Sequence, residues 1–341
     1  MTAQAVNRDA AEPALMAANM RKHFPVARSV RSLMSDRIVV HAVDEASLAL
    51  APGKIVAVVG ESGSGKTTLG RLMSRLEVPT AGSLMLGGQP VPTRGTRALR
   101  AFRRQVQVVF QDPYASLNSA HTVGYHLQRP MLLHKLASSR KDARRAARDL
   151  LDRVGLAPGD EFIDRYPQQL SGGQRQRVAI ARALATEPSV IIADEPVASL
   201  DVSSRLAILN LFASIARDGA SLLYITHDIA SARYFADDII VMYAGQIIER
   251  GPAEDVVSAP KHPYTRLLID SAPDPDRRAD GRQAPARGEE IASLITPPAG
   301  CRFHPRCPLT MPVCSQETPA EFPIGTQRSA ACWLHTDRPL P

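Results

Sequence analysis

Residues 60–67 read GESGSGKT, a set of residue types at a spacing that binds phosphate. The glycines let backbone N–H groups turn inward around an anion. The helical pattern that follows, TTLGRLMSRL, brings the positive end of its dipole to the same place. The apolar run IVAVV (55–59) precedes the loop and supplies the strand of a strand–loop–helix unit. In that unit Gly60, Glu61, Ser62, Gly63, Ser64, Gly65 and Thr68 surround the phosphates. Lys66 reaches the β- and γ-phosphates, and the Thr67 hydroxyl is placed for Mg²⁺. The bland alternative is a Gly/Ser-rich turn before a helix. Nucleotide binding alone leaves kinases, GTPases and motors open.

A second stretch, VIIADEP (190–196), is an apolar strand ending in acids. Asp194 can hold Mg²⁺ beside the loop, and Glu195 can orient or deprotonate an attacking water. Alone it could be a strand cap with two surface acids. A third, LSGGQRQRVAIARAL (170–184), has Ser171 and Gln174 in the S-x-x-Q order of a helix start. Gly172 and Gly173 leave the first N–H groups open to an anion. Physics reads this as a second anion site at a helix N-terminus and does not say whose phosphate binds there.

A fourth feature is CRFHPRCPLTMPVC (301–314), which with Cys332 holds all four cysteines. Their gaps of five, six and seventeen residues match neither the short C-x₂₋₄-C knuckles of structural zinc sites nor common ferredoxin runs. On spacing alone, unpaired thiols are the default, since cytosolic disulfides are disfavoured.

Elements must carry these groups. Val106–Phe110, Val190–Ala193 and Leu222–Ile225 are short apolar runs like 55–59, as buried parallel strands are, and 39–49 also reads as a strand. Helical patterns separate them, so the fold class is α/β with a mostly parallel central sheet. Residues 112–170 carry helical signals and no strong strand signal. Within 139–156, Ala143, Ala147, Leu150, Leu151 and Val154 recur at helical spacing and Gly155 is a stop. The basic stretches 94–104 and 139–156 read as solvated faces. They lack the interleaved aromatics of a nucleic-acid patch, and a surface near anionic lipid is compatible with them. The polar start 1–13 reads as a loose tail and 273–290 as a linker. No apolar run approaches the roughly 20 residues that span a bilayer, and the charge-dotted start predicts no signal peptide.

The ordered set GESGSGKT, LSGGQ and ADEP resembles the ATP-binding-cassette ATPases over roughly residues 14–260. That family implies a P-loop NTPase core with an antiparallel β subdomain and an inserted helical subdomain at about 112–172. It also implies further roles. Gln111 matches the glutamine that touches Mg²⁺ and water, Asp201 in ASLD the D-loop aspartate, and His227 in YITHD the γ-phosphate histidine. Phe24 in MRKHFP resembles the adenine-stacking aromatic, with a core residue as the equal alternative and an insertion-like stretch, 25–38, following it. Two ATPase subunits face head to tail in the family, so Ser171, Gly172, Gly173 and Gln174 would serve a partner's ATP. The partner would be a sister subunit, or a second copy.

FQDPYASLN, HPYTRLL and CRFHPRCP resemble the dipeptide, oligopeptide and nickel importer branch, in its second-ATPase form, with 261–341 as a C-terminal extension. The branch implies two membrane permease subunits, a separate solute-binding protein, and a peripheral place on the cytoplasmic face of the membrane. It also offers a [4Fe–4S] cluster on Cys301, Cys307, Cys314 and Cys332, with zinc or bare thiols as alternatives. Departures are Thr67 where serine is frequent, ASLD for SALD, and Ser119 for proline. A soluble cassette ATPase acting on nucleic acid or ribosomes is the rival; one cassette and no long heptad insertion count against it.

Overall fold

The computed structural model describes residues 12–25, 38–271 and 292–336. Residues 1–11 of the expected tail (1–13), 26–37 of the insertion-like stretch (25–38) and the expected linker (273–290) lie outside the described residues.

Two long strands, β1 (Leu15–Pro25) and β2 (Val39–Leu50), pair antiparallel. Along β2 the residues Ala46, Leu48 and Leu50 point inward and their neighbours outward, the period-two pattern of a half-buried sheet. β3 (Ile55–Val59) is buried at every position and runs through the glycine loop into α1 (Lys66–Met73). β4 (Ala81–Leu86) and β5 (Gln89–Pro90) return to the first sheet, whose order is β2-β1-β4-β5. The exposed, arginine-rich α2 (Thr96–Gln105) buries only Phe102 and leads to β6 (Val106–Val109).

A helical run follows: α3 (Pro113–Ser116), α4 (Val123–Leu133), α5 (Arg140–Arg153), α6 (Gly159–Phe162) and α7 (Gly172–Leu184). α5 is the helix expected at 139–156. Ser139 caps it by accepting from Asp142 N–H, and Ala143, Ala147, Leu150 and Leu151 form its buried face. β7 (Val190–Asp194), α8 (Val202–Arg217), β8 (Ser221–Thr226), α9 (Ile229–Phe235) and β9 (Asp238–Tyr243) complete the parallel part of the second sheet. β10 (Gln246–Pro252) turns back antiparallel, and α10 (Ala253–Ser258) and α11 (Pro263–Asp270) follow. Short β11 (Phe322–Pro323) and β12 (Ser329–Ala330) extend the same sheet.

The second sheet runs β11-β12-β10-β9-β3-β8-β7-β6, with β9, β3, β8, β7 and β6 mutually parallel. Its two faces feed two cores. Ala57, Ile191 and Tyr224 pack with the helical run, whereas Val58, Ile192 and Leu223 pack with α1 and the antiparallel sheet. Burial on both sides is why these strands are continuous apolar runs. Parallel strands end on one edge, so the residues after β3, β6, β7 and β8 must meet there. Those residues are Gly60, Gln111, Glu195 and His227, and the carboxyl edge of such a sheet is where ligands bind.

Candidate active site

The loop after β3 is shaped by close backbone approach. Gly65 holds φ +100°, and a Cβ there would lie 2.2 Å from the Ala42 carbonyl oxygen; at Gly60 the corresponding distance to Met242 O is 2.2 Å. Only glycine lets the loop rest against β2 and β9 this closely. Lys66, 5% exposed, folds its ammonium back to donate to Gly60 O and Glu61 O, both at 2.8 Å. Burial pushes its pKa below the ordinary lysine value, while Glu195, Asp194 and Glu61 pull it up.

Thr67 Oγ1 donates to Asp194 Oδ1 at 3.1 Å, joining the start of α1 to the end of β7. Burial, with Glu195 adding repulsion, holds the Asp194 carboxyl above the usual carboxylate range, against the Thr67 hydrogen bond. Two adjacent carboxylates and a hydroxyl are hard oxygen donors, a set that fits a Mg²⁺ ion.

Glu195 sits at φ +45°, a left-handed conformation fixed where its N–H donates to Ile225 O on β8. Such strain in a non-glycine residue costs about 1–3 kcal/mol and turns the side chain out of the strand direction. Its Oε2 receives Gln111 Nε2 at 3.4 Å and lies 3.1 Å from His227 Nδ1. Lys66, Thr67, Asp194, Glu195, Gln111 and His227, six residues expected to act together, therefore share one edge.

The remaining expected residues lie elsewhere. Ser171 caps α7, accepting from Gln174 N–H at 3.2 Å while Gln174 Oε1 accepts from Ser171 N–H at 3.0 Å, the reciprocal box that the S-x-x-Q order foretells. Gly172 and Gly173 border Leu200 and Ser204, beside Asp201. Asp201 caps α8, and hydrogen bonds from Ser203 and Ser204 hold its carboxyl far below the usual range. Among the described residues, no hydrogen bond or ion pair ties this second group to Glu195 or Lys66. Phe24 is the next-to-last residue of β1, opposite Val40, with the Lys22 ammonium 4.7 Å from its ring centroid. The four cysteines are free and line one cavity together with Phe303 and His262. Burial pushes the Cys301, Cys307 and Cys332 thiols up, Cys332 to about 11. No three sulfurs lie within 4.8 Å of one another, as a tetrahedral zinc with bonds of about 2.3 Å would need.

Sequence reasoning missed three things. His23, His41 and Asp44 gather their ligand atoms within 4.8 Å of one another, a histidine–carboxylate group that nothing in their spacing announces. Arg302 Nη2 at 2.6 Å and Arg21 Nε at 3.7 Å already neutralise Asp44, so this is an ion network and not a cation site. Arg175 stacks on Tyr114 at 3.6 Å and Arg182 donates to Ser116 O, tying α7 to the stretch after Gln111. Arg306 and Tyr264 touch Glu61 in the phosphate loop. Both belong to stretches quoted above, CRFHPRCP and HPYTRLL, whose contacts no spacing rule reveals.

A family model described as ABC transporter matches residues 43–198, and one described as oligopeptide/dipeptide transporter, C-terminal region, matches 248–314. The chain is 40% identical to the dipeptide transport ATP-binding protein DppF of Escherichia coli, over 96% of both chains. It is 41% identical to the di/tripeptide transport ATP-binding protein DppF of Pseudomonas aeruginosa, over 94% of this chain and 97% of that one. It is 42% identical to a probable peptide ABC transporter ATP-binding protein of Sinorhizobium fredii, over 92% and 88%. None of these names concerns nucleic acid. Among solved structures, a post-hydrolysis dimer of the ATP-binding cassette MJ0796 with ADP and Pi superposes with a TM-score of 0.62 at 29% identity, covering 70% of this chain and 98% of that one. CbiO1 from Clostridium perfringens does so with 0.61 at 25%, covering 73% and 92%. Motifs, sheet order and relatives agree: the chain belongs to the ABC transporter family, as an ATP-binding, ATP-hydrolysing subunit with the oligopeptide/dipeptide transporter C-terminal region.

Proposed function

We propose that the chain powers import of peptides or similar small solutes by hydrolysing ATP at the edge where β3, β6, β7 and β8 end. The observation that carries this is the convergence of Gln111 and His227 on Glu195 Oε2, beside the Thr67–Asp194 pair. Residues 60–68 cradle the phosphates, and Lys66 exchanges its two carbonyl partners for phosphate oxygens. Thr67, Asp194 and Gln111 would hold Mg²⁺, which would supply positive charge against the phosphates. The Glu195 carboxylate takes the proton of the attacking water, and His227 keeps it oriented and meets the γ-phosphate. Phe24 stacks on adenine.

The separation of Ser171–Gln174 and Asp201 from this edge supports a head-to-tail dimer. In it the start of α7 closes over the nucleotide of a sister subunit or second copy. The helical segment 112–172, within a nucleotide-binding domain of 14–260, meets two membrane permease subunits on the cytoplasmic side. Tyr114, 62% exposed, lies near the start of that segment and is held by Arg175, so movement of α7 reaches that surface. A separate binding protein delivers the solute. In the extension 261–341 the four cysteines, which line one cavity, would hold an iron–sulfur cluster by their number, and thiol protons would leave on binding.

The test is assembly and coupling. Co-expressed with two permease subunits and a sister ATPase, the chain should co-purify with them from membranes, and peptide-loaded binding protein should stimulate its ATPase. Ribosome association without membrane subunits would overturn the reading. Iron and sulfide analysis of anaerobically purified protein tests the cluster, and background levels of both would remove it.

A further inference from the structure

The outer limb of the phosphate loop is bare. Ser62 and Gly63 are exposed, and a Cβ on Gly63 would meet nothing within 4 Å. Glu61, by contrast, is held at three points. Its carbonyl accepts from Lys66 Nζ, and its N–H donates to Tyr264 Oη at 2.8 Å. Its carboxylate receives two parallel hydrogen bonds from Arg306, Nη1 to Oε2 at 3.0 Å and Nη2 to Oε1 at 3.1 Å.

The supports are themselves rigid. Tyr264 is fully buried, with its ring 4.6 Å from Tyr243 and 5.5 Å from Phe303. The Arg306 side chain is 12% exposed, lies 5.8 and 5.9 Å from the Tyr243 and Phe303 rings, and donates a further bond to Tyr243 Oη at 3.4 Å. From the same short segment, Arg302 bonds Asp44 on β2 at 2.6 Å and the Ala244 carbonyl of the β9–β10 turn. That turn and β2 are the wall on which the loop rests, since Gly245 N–H donates to Ser64 O at 2.9 Å and Gly65 abuts Ala42.

We infer that Arg306, acting through Glu61, is a positioning residue for the phosphate loop, so that the cysteine-bearing extension is part of the nucleotide site. The pairing spans 245 residues of sequence and joins the one anchored side chain of the bare limb to a segment between Cys301 and Cys307. A planar fork on a carboxylate fixes direction as well as distance, which a lysine point charge does not. Losing it frees Glu61 to rotate, and the carbonyl that holds Lys66 before nucleotide arrives moves with it.

The inference rests on reading residues 60–68 as the ATP loop, and the experiment separates the two. MgATP affinity of the purified full-length chain is measured for wild type, R306M, R306K, E61Q and R306M/E61Q, with nucleotide-free thermal unfolding alongside. In the assembled transporter the loss should fall on KM more than on kcat. R306M should bind MgATP about tenfold more weakly, since small misplacements of binding groups carry penalties of this size or larger. R306K should recover little, E61Q should match R306M, and the double variant should be no weaker than either single one. If R306M does not fold, the charge-retaining R306K and the isosteric E61Q carry the test. Wild-type-like affinity in folded R306M or R306K, additive losses in the double variant, or a lower melting temperature with unchanged affinity would overturn it. A wild-type chain that binds no MgATP would overturn the loop reading itself.

Discussion

Two glycines of one loop make opposite predictions. Gly65→Ala places a Cβ 2.2 Å from the Ala42 carbonyl oxygen and 3.4 Å from Gly245 Cα, at φ +100°. Real Cβ contacts do not fall below 3.0 Å, so loop and β2 must part by at least the difference, 3.0 − 2.2 = 0.8 Å. Left-handed backbone costs an alanine about 1–2 kcal/mol, and forced repacking about 1–3 kcal/mol more. The displacement falls between Lys66 and β2, where the phosphates are received, and a shift near 1 Å can cost about 100-fold in productive binding. Gly63→Ala, at φ +80°, carries similar backbone strain and meets no atom within 4 Å. That strain is present with and without nucleotide and cancels from the affinity. Titration calorimetry with MgATP on both purified variants, with melting temperatures as a check on folding, should therefore show a loss of about two orders of magnitude for Gly65→Ala and within about threefold of wild type for Gly63→Ala. Equal losses, or the reverse order, would refute the argument that backbone approach to β2 shapes the site.

Further predictions follow from the same geometry. The Asp194 carboxylate is held above its usual range, so the folded state binds its proton more tightly than the unfolded chain. Its charge destabilises the empty protein above that range. Asp194→Asn should raise the nucleotide-free melting temperature at pH 7.5 and weaken Mg²⁺-dependent ATP binding, read by differential scanning fluorimetry with and without MgATP. Ser171→Ala removes the cap of α7, costing about 1 kcal/mol of stability. It should leave ATP affinity of the isolated chain unchanged while weakening ATP-dependent dimerisation, measured by analytical ultracentrifugation. Arg175→Met breaks the contacts with Tyr114 and Pro167 and should lower solute-stimulated ATPase activity more than basal activity, compared in reconstituted vesicles.

The parts of this fold that the sequence discloses are those with one dominant physical signal. β3, β7 and β8 are buried on both faces and show as short apolar runs, and α5 keeps one apolar stripe between a serine cap and a glycine stop. β1 gives no clear strand signal in the sequence, because its burial alternates irregularly across register shifts near Met20 and Lys22. Ile239–Tyr243 carries the same apolar signature as β3, and it and its hairpin partner β10 are strands additional to those expected from sequence. At the site, Lys66, Asp194 and Glu195 are legible because each belongs to a motif at the carboxyl end of an apolar strand, GESGSGKT after β3 and ADEP at the end of β7. Gln111 and His227 needed the family resemblance to single them out. The segment 301–314, distant in sequence from the phosphate loop, packs on it through Arg306. Arg306 and Glu61 stand 245 residues apart, and no local pattern reports a contact of that range.

The central claim is that the Glu195 carboxylate, held between Gln111 and His227, drives water onto ATP at this edge. Glu195→Gln keeps the shape of the side chain and removes its charge and its capacity to take a proton. Steady-state hydrolysis and MgATP binding should be measured on the same preparation of the assembled ATPase pair. Binding should stay within about threefold of wild type while turnover falls by about 10²–10⁴-fold, the contribution of a positioned general base. Unimpaired turnover in a variant that binds MgATP normally would contradict it.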